Sequence, residues 1–359
     1  FKYKLISINN ENKILEIYMN KNHLKFIDKI NTTKFKKLKV KMKSEIKIGT
    51  DCSGIEAPIQ ALELLNIKYK HIFSCDNDKH VIKNIEGNYK PEILYDDIFN
   101  RDYDNLPYVD GYIAGFPCQN FSTLGKMKGF EEKNGTIFFC CYKTIKVIEP
   151  KFFILENVKA LVTHNKGKTF ESILHELHKL EKYNIYWKVF NTCEYGIPQK
   201  RERVYIIGIK KEYDKNFVYP EPIKLEVFVN DIITTEPVDN KFGYLTDHKS
   251  KLLNELVDNN KIDKLDKHWS VNLNVSHQKM CYPKLDICPC LLAGNGGDCI
   301  FYLTSIKRRY TPREYLNLQG FNTTFKQCVS NSKMYKQVGN SMSVNVLCFI
   351  YKSIFESIY

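Results

Sequence analysis

Short apolar runs alternate with helical stretches between Glu45 and Lys210, and this alternation restricts the fold more than any other feature of the sequence. The strand-like runs are residues 46–50, 71–75, 111–114, 152–155, 186–190 and 204–208. The clearest helical patterns between them are at 59–65, 79–85, 137–148 and 169–180. Strands that alternate with helices indicate a mostly parallel sheet with both faces covered. The sequence therefore predicts a doubly wound α/β domain.

The pattern changes on either side of this region, which predicts four segments. Residues 1–43 form a Lys-rich, basic N-terminal appendage. Residues 44–211 are the α/β domain, and residues 212–331 are a smaller, loop-rich domain in which the alternation stops. Residues 332–359 are predicted to return to the first domain as a C-terminal segment. Helical pattern reappears late in the chain, at 312–318 and 343–358.

Charge and composition restrict the class of partner. Lys+Arg number 54 and Asp+Glu 41, so the formal net charge is +13. Such an excess favours a polyanion, most commonly nucleic acid, although solubility alone explains it equally well. The 12 cysteines lack the paired spacing of a zinc site, so no metal is predicted. No apolar run approaches the roughly 20 residues that span a bilayer, and we expect a soluble intracellular protein without membrane contact.

The turn after the first strand is a candidate ligand site. Cys52, Ser53 and Gly54 lie between a strand and a helix, where backbone N–H groups can approach a ligand. Asp76 ends the next strand, where an acid can bond the hydroxyls of a ribose. The turn has one glycine rather than G-x-G-x-x-G, which argues against a dinucleotide. A purely structural loop explains the same residues equally well.

Two reactive side chains follow later strands. Cys118 stands in Gly115-Phe116-Pro117-Cys118 directly after a strand, where a thiolate nucleophile could be held. Glu156 ends an apolar strand, where a carboxylate is costly unless it has a partner or a task. The alternatives are a buried structural cysteine and a capping or ion-paired glutamate.

A third candidate is the polar run from Gln199 to Arg203. Side chains alternate along an extended segment, so Gln199, Arg201 and Arg203 share one face while Lys200 and Glu202 point away. That face could meet an anion, a carbonyl oxygen or a phosphate. The alternative is a solvated charge run on an edge strand.

Together these motifs resemble the DNA cytosine-5 methyltransferase family of bacterial, phage and viral type. The resemblance covers about residues 46–210 and 307–359, in family order. Its motifs are G-F-P-C-Q-N-F-S at 115–122, E-N-V at 156–158, Q-K-R-E-R at 199–203, G-T-I-F-F at 135–139, T-P-R-E at 311–314 and K-Q-V-G-N-S at 336–341. The resemblance implies a class I S-adenosylmethionine-dependent methyltransferase fold, with residues 212–331 as the target-recognition domain.

The resemblance also implies a site-specific reaction on a cytosine flipped out of double-stranded DNA. Cys118 would attack ring carbon 6, which makes carbon 5 nucleophilic. Glu156 would protonate ring nitrogen 3, Arg203 would donate to the ring carbonyl oxygen, and Arg201 would add positive potential. A base would then remove the carbon 5 proton as Cys118 leaves.

The implied cofactor is S-adenosyl-L-methionine, held by residues at several strand ends. The implied set is Cys52, Ser53, Gly54, Ile55, Asp76, Asn77, Asp97, Ile98, Pro117, Asn340 and Ser341. Asp76 would bind the ribose, Asp97 and Ile98 the adenine, and Pro117 would lie near the methyl donor. The first turn departs from the family's D-x-F-x-G, because it reads Thr50-Asp51-Cys52-Ser53-Gly54.

The expected partner is double-stranded DNA. We expect the protein to be a monomer and to belong to a restriction-modification system. The candidate DNA contacts are Gln119, Ser122, Lys126, Lys128, Gln199, Arg309, Lys267 and His268. If the host is eukaryotic, the expected location is the nucleus or a viral factory rather than the cytoplasm.

Two alternative functions stay open. A branch of the family methylates tRNA, typically with a double proline before the cysteine where this chain has Phe116-Pro117. The other alternative is a catalytically inactive DNA-binding regulator.

Overall fold

The computed structural model describes residues 45–117, 137–234, 237–293 and 301–359. The predicted appendage at 1–43 lies outside the described residues. The same holds for five predicted site residues, namely Cys118, Gln119, Ser122, Lys126 and Lys128.

The described strands include a seven-stranded sheet in the order β3-β2-β1-β4-β5-β8-β6. Its strands are β1 (Ile46–Asp51), β2 (Tyr69–Cys75), β3 (Ile93–Tyr95), β4 (Gly111–Ala114), β5 (Phe152–Val158), β6 (Tyr183–Asn191) and β8 (Glu202–Lys210). β8 runs antiparallel to both of its neighbours, and the pairs among β1 to β5 are parallel. The sheet is therefore mostly parallel, as the alternation predicts.

Helices cover the sheet and close the C-terminal region. They are α1 (Ala57–Leu64), α2 (Lys79–Asn88), α3 (Ile137–Ile148), α4 (Ala160–Thr163), α5 (Lys168–His178), α6 (Val229–Ile232), α7 (Asp247–Asp258), α8 (Pro312–Leu318), α9 (Asn331–Asn340) and α10 (Val344–Ile358). Side-chain caps set several of the first turns. Asp78 accepts a hydrogen bond from the backbone N–H of His80 at 2.8 Å, and Thr311 and Glu314 form a capping box before α8. None of the described helices is both long and apolar enough to cross a membrane.

Both faces of the sheet are buried, which explains the continuous apolar runs in its strands. Ile113 packs into one core with α1 and α10, whereas its neighbours Tyr112 and Ala114 pack into the other core with α3 and α5. Ile154 and Phe153 divide between the two cores in the same way. Successive strand residues point to opposite faces, so a strand that is covered on both sides is apolar at nearly every position.

The segment after Lys210 contains more regular structure than the sequence predicts. A smaller sheet joins β9 (Trp269–Asn272), β10 (Lys284–Leu285), β12 (Phe301–Leu303) and β13 (Arg308–Arg309) in the order β10-β9-β12-β13. The two remaining described strands, β7 (Gln199–Lys200) and β11 (Cys288–Pro289), pair in parallel with each other. Helix α7 packs on it through Leu252, Leu253 and Leu256, and Thr246 caps the helix. The prediction of a loop-rich segment missed this helix, because its apolar stripe is only three leucines in a polar sequence.

The independent core of this segment is smaller than the predicted domain at 212–331. It is confined to residues between 252 and 302. Phe217, Val229 and Tyr315 instead pack into the same core as α10. Helix α9 begins at Asn331, and the sequence did not predict it. We therefore define the small unit as the small sheet with α7, and the rest of 212–331 packs on the larger domain.

Candidate active site

A cavity of about 580 Å³ opens at the carboxyl ends of β1, β2, β4 and β5. β1 lies between β2 and β4, so the sheet changes its winding direction there. Open α/β sheets bind ligands in the crevice at this point. Eleven predicted site residues line the cavity, namely Cys52, Gly54, Asp76, Asn77, Asp97, Ile98, Pro117, Glu156, Arg201, Arg203 and Asn340.

One wall is the turn after β1. Gly54 has a φ of 54°, a left-handed conformation that glycine adopts without strain. Its N–H donates to Asp76 Oδ2 at 3.0 Å, and the N–H of Asp78 donates to Oδ1 at 3.0 Å. Burial raises the pKa of Asp76, and these two backbone hydrogen bonds oppose the rise. Each carboxylate oxygen keeps a second lone pair for a ligand hydroxyl.

The opposite wall is the end of β5. Glu156 is 7% exposed, and Arg203 Nε lies 3.4 Å from its Oε1. Burial raises the pKa of Glu156, while Arg203 and Arg201 lower it. Glu156 lines the cavity. Its Oε1 is buried and has no hydrogen-bond partner among the described residues. A buried, protonatable carboxyl is thus available to a ligand.

Asn157 has a role that the sequence analysis missed. Its side-chain N–H donates to the carbonyl of Phe116 at 2.8 Å. That bond ties β5 to the Gly115–Pro117 segment, whose next residue in the chain is Cys118. The signal was present in the E-N-V motif, where the amide directly follows the acid.

The two arginines differ in their surroundings. Arg201 is 1% exposed and donates to the carbonyls of Leu291 at 3.0 Å, Gly339 at 3.1 Å and Ser341 at 2.7 Å. Arg203 is nearer to Glu156, and its Nη1 donates to the carbonyl of Glu202 at 2.8 Å. Cys290 Sγ lies 3.6 Å from Arg201 Nη1 and 3.7 Å from Arg203 Nη2. Arg201 therefore braces the cavity wall, and Arg203 is the guanidinium beside the acid.

Comparison with known proteins agrees with this arrangement. A family model described as C-5 cytosine-specific DNA methylase matches residues 51–356. The chain belongs to this family. Type II methyltransferase M.HaeII of Haemophilus aegyptius is 36% identical over 290 residues, which cover 80% of this chain and 87% of the relative. M.HhaI of Haemophilus parahaemolyticus is 34% identical over 300 residues, which cover 80% of this chain and 88% of the relative.

Solved structures support the fold of this methylase. The S. pombe Dnmt2 methyltransferase superposes with a TM-score of 0.63 at 16% identity, over 87% of this chain and 99% of that chain. The Entamoeba histolytica methyltransferase EhMeth gives a TM-score of 0.60 at 16% identity, over 88% and 100%. The predicted family, the class I fold and the DNA cytosine-5 methyltransferase activity are confirmed, and the tRNA alternative is not favoured.

Three residues predicted to contact the cofactor do not line the cavity of the methylase with their side chains. Ser53 Oγ bonds inward to the carbonyl of Cys75 at 3.1 Å and accepts from its N–H at 2.9 Å. Ile55 is 1% exposed in the core. Ser341 is buried, and its carbonyl accepts from Arg201. These side chains support the cavity walls rather than forming them.

The DNA contact predicted for Gln199 is wrong. Gln199 is completely buried, with Nε2 donating to the carbonyl of Leu318 at 2.7 Å. Its Oε1 accepts from the N–H of Leu291 at 3.1 Å. Arg201 and Arg203, which the alternation placed on the same face, line the cavity, whereas Gln199 is packed inside the protein.

The remaining described DNA candidates lie away from the cavity. Lys267 is exposed and pairs with Asp263. His268 Nδ1 lies 2.7 Å from Ser305 Oγ, and Arg309 Nη2 donates to the carbonyl of Lys241 at 2.8 Å. All three are on or beside the sheet of the small unit.

Proposed function

We propose that this methylase transfers the methyl group of S-adenosylmethionine to carbon 5 of a cytosine flipped out of double-stranded DNA, with Cys118 as covalent nucleophile. The observation that carries the proposal is the buried Glu156 carboxyl, which lies beside Arg203 on the wall of the cavity. Asn157 fixes the segment that leads into Cys118 from the same strand end. An acid, a guanidinium and the approach to a thiol thus converge on one cavity.

The cavity residues fit the cofactor. Asp76 presents carboxylate oxygens whose remaining lone pairs suit the two hydroxyls of a ribose. Asp97 and Ile98 line the adjoining wall and would hold the adenine. When bound, S-adenosylmethionine supplies an electrophilic methyl group on a sulfonium.

The residues of the chain carry the other steps. The thiolate of Cys118 forms a bond to ring carbon 6, and the displaced electron pair gives carbon 5 nucleophilic character. Glu156 donates its proton to ring nitrogen 3. Its raised pKa increases the fraction of the acid that carries this proton. Arg203 donates to the ring carbonyl oxygen as charge develops there. After methyl transfer a base takes the carbon 5 proton, the carbon 5–carbon 6 double bond re-forms, and the thiolate leaves. Ring nitrogen 3 returns its proton to Glu156, which restores the acid.

The test is methyl transfer from labelled S-adenosylmethionine to duplex DNA or to total tRNA. We expect label in the DNA, none in the tRNA, and complete loss with Cys118→Ser. Cys193→Ser is the matched control, because Cys193 does not line the cavity and should leave transfer unchanged. Label in tRNA alone, or undiminished transfer by Cys118→Ser, would contradict the proposal.

A further inference from the structure

A buried ion pair lies beside the cavity and takes no part in the steps above. Arg101 Nη1 donates to Asp51 Oδ1 at 2.6 Å, and Nη2 donates to Oδ2 at 2.6 Å. The two side chains are 1% and 0% exposed. The hydroxyl of Tyr112 donates to Asp51 Oδ2 at 2.6 Å. Paired hydrogen bonds between a guanidinium and a carboxylate fix both groups in one plane as well as attracting them.

Aromatic rings enclose the same guanidinium. Its central carbon lies 5.0 Å from the ring centre of Tyr103, 5.6 Å from that of Tyr95 and 5.7 Å from that of Phe73. Nη2 also donates to the hydroxyl of Thr144 in α3. Such cation–π contacts strengthen when water is excluded. The position of Arg101 is therefore set from several elements at once.

The pair connects two walls of the cavity. Asp51 is the last residue of β1, and the next residue, Cys52, lines the cavity. Arg101 follows Ile98, which lines the facing wall, by three residues. The hydroxyl of Tyr103, whose ring packs on Arg101, donates to the carbonyl of Ile98 at 2.6 Å. The contacts form a continuous chain from β1 to the backbone of Ile98.

Stability alone does not account for such a pair. Well-packed apolar residues often stabilise a core as well as a buried ion pair does, because both charges must be removed from water. The segment from Asp96 to Asp104 has no regular secondary structure to hold it. What the pair adds is a fixed position for that segment relative to β1.

We propose that the Asp51–Arg101 pair is a positioning device that holds the Asp97–Ile98 wall against the adenosine end of the cofactor. This inference rests on the proposed use of S-adenosylmethionine. It assigns the pair to cofactor affinity and not to the methyl-transfer step.

The test uses full-length enzyme and S-adenosylhomocysteine as the probe. Arg101→Met leaves Asp51 as an unpaired buried charge and should lower both the Tm and the affinity for the probe. The double variant Asp51→Asn with Arg101→Met removes both charges while keeping an acceptor for Tyr112. We expect it to regain most of the Tm, yet to bind the probe about tenfold more weakly. KM for S-adenosylmethionine should rise while kcat at saturation and duplex affinity stay unchanged.

Arg308→Met is the matched control. Arg308 makes an equally paired contact with Glu314, at 2.9 Å and 2.7 Å, away from the cavity. It should lose Tm without loss of probe affinity. Wild-type affinity in the double variant, or equal weakening by Arg308→Met, would overturn the positioning role. If the wild-type enzyme itself bound no probe, the cofactor proposal would fall, and this inference with it.

Discussion

Glu156 is an acid whose surroundings raise its pKa. The carboxyl is removed from water on the cavity wall, and Arg203 holds its orientation at 3.4 Å. Burial raises its pKa more than the two arginines lower it. Glu156 therefore supplies the proton, and Arg203 orients the carboxyl that carries it. The sequence predicted Glu156 from its place at a strand end. The same motif contains Asn157, but the sequence could not show its contact with Phe116, which is 41 residues away.

Glu156→Gln tests the proton donation. We expect kcat to fall by about 10²–10⁴-fold, because an amide has no acidic proton to give. Because the pKa of Glu156 is raised, the wild-type acid stays protonated to higher pH than a free glutamate, and kcat should fall as pH rises through that pKa. The variant should lack this falling limb in single-turnover pH profiles. Glu171→Gln, at an exposed glutamate in α5, should keep it.

Asn157→Ala tests the tie to the cysteine segment. Loss of the bond to the Phe116 carbonyl should lower kcat by about 10²-fold, since small displacements of a nucleophile have large effects on rate. The affinity for S-adenosylhomocysteine should not change. Asn184→Ala removes a comparable bond, to Asp214 at 2.8 Å, from the far edge of the sheet and should leave kcat intact. Equal losses in the two variants would argue against a positioning role for Asn157.

At the scale of elements, the strands and helices that are most buried were the ones that the sequence predicted. The central strands were predicted because both faces are covered and their sequences are continuously apolar, as in β4 and β5. Helices α3 and α8 were predicted at 137–148 and 312–318, where the structure shows them. Helices α7 and α9 were missed, because their sequences are mostly polar. Gln199 was misassigned because alternation shows which side chains share a face, and not which way that face is turned.

Leu256→Ala tests whether the small unit has its own core. Leu256 is 1% exposed in the cluster around α7, and its truncation should cost the unit about 2–5 kcal/mol. In a Trp187→Phe background the fluorescence comes from Trp269, which packs against that cluster. The Trp269 transition should shift to lower denaturant concentration while S-adenosylhomocysteine binding persists. Leu265→Ala, at a partly exposed leucine outside the cluster, should not shift it.

At the scale of the whole molecule, the active site exists only after the fold has formed. Its walls come from the turn after β1, the ends of β2, β4 and β5, the arginines Arg201 and Arg203, and α9. Arg201 donates hydrogen bonds to Gly339 and Ser341, which follow it in the chain by 138 and 140 residues. Spacing within one motif cannot reveal such contacts, so the sequence predicted the cavity through the order of its motifs and left the bracing residues unassigned.

The most direct test of the covalent mechanism is the intact mass of the enzyme after incubation with S-adenosylmethionine and a duplex that carries 5-fluorocytosine at the methylated position. Fluorine cannot leave as a proton does, so the thiolate cannot be eliminated. The account predicts a stable complex equal in mass to enzyme, DNA strand and one methyl group, with the link mapped to Cys118 and absent in Cys118→Ser. Full methyl transfer to ordinary DNA without any such complex, or a link mapped to another residue, would contradict it.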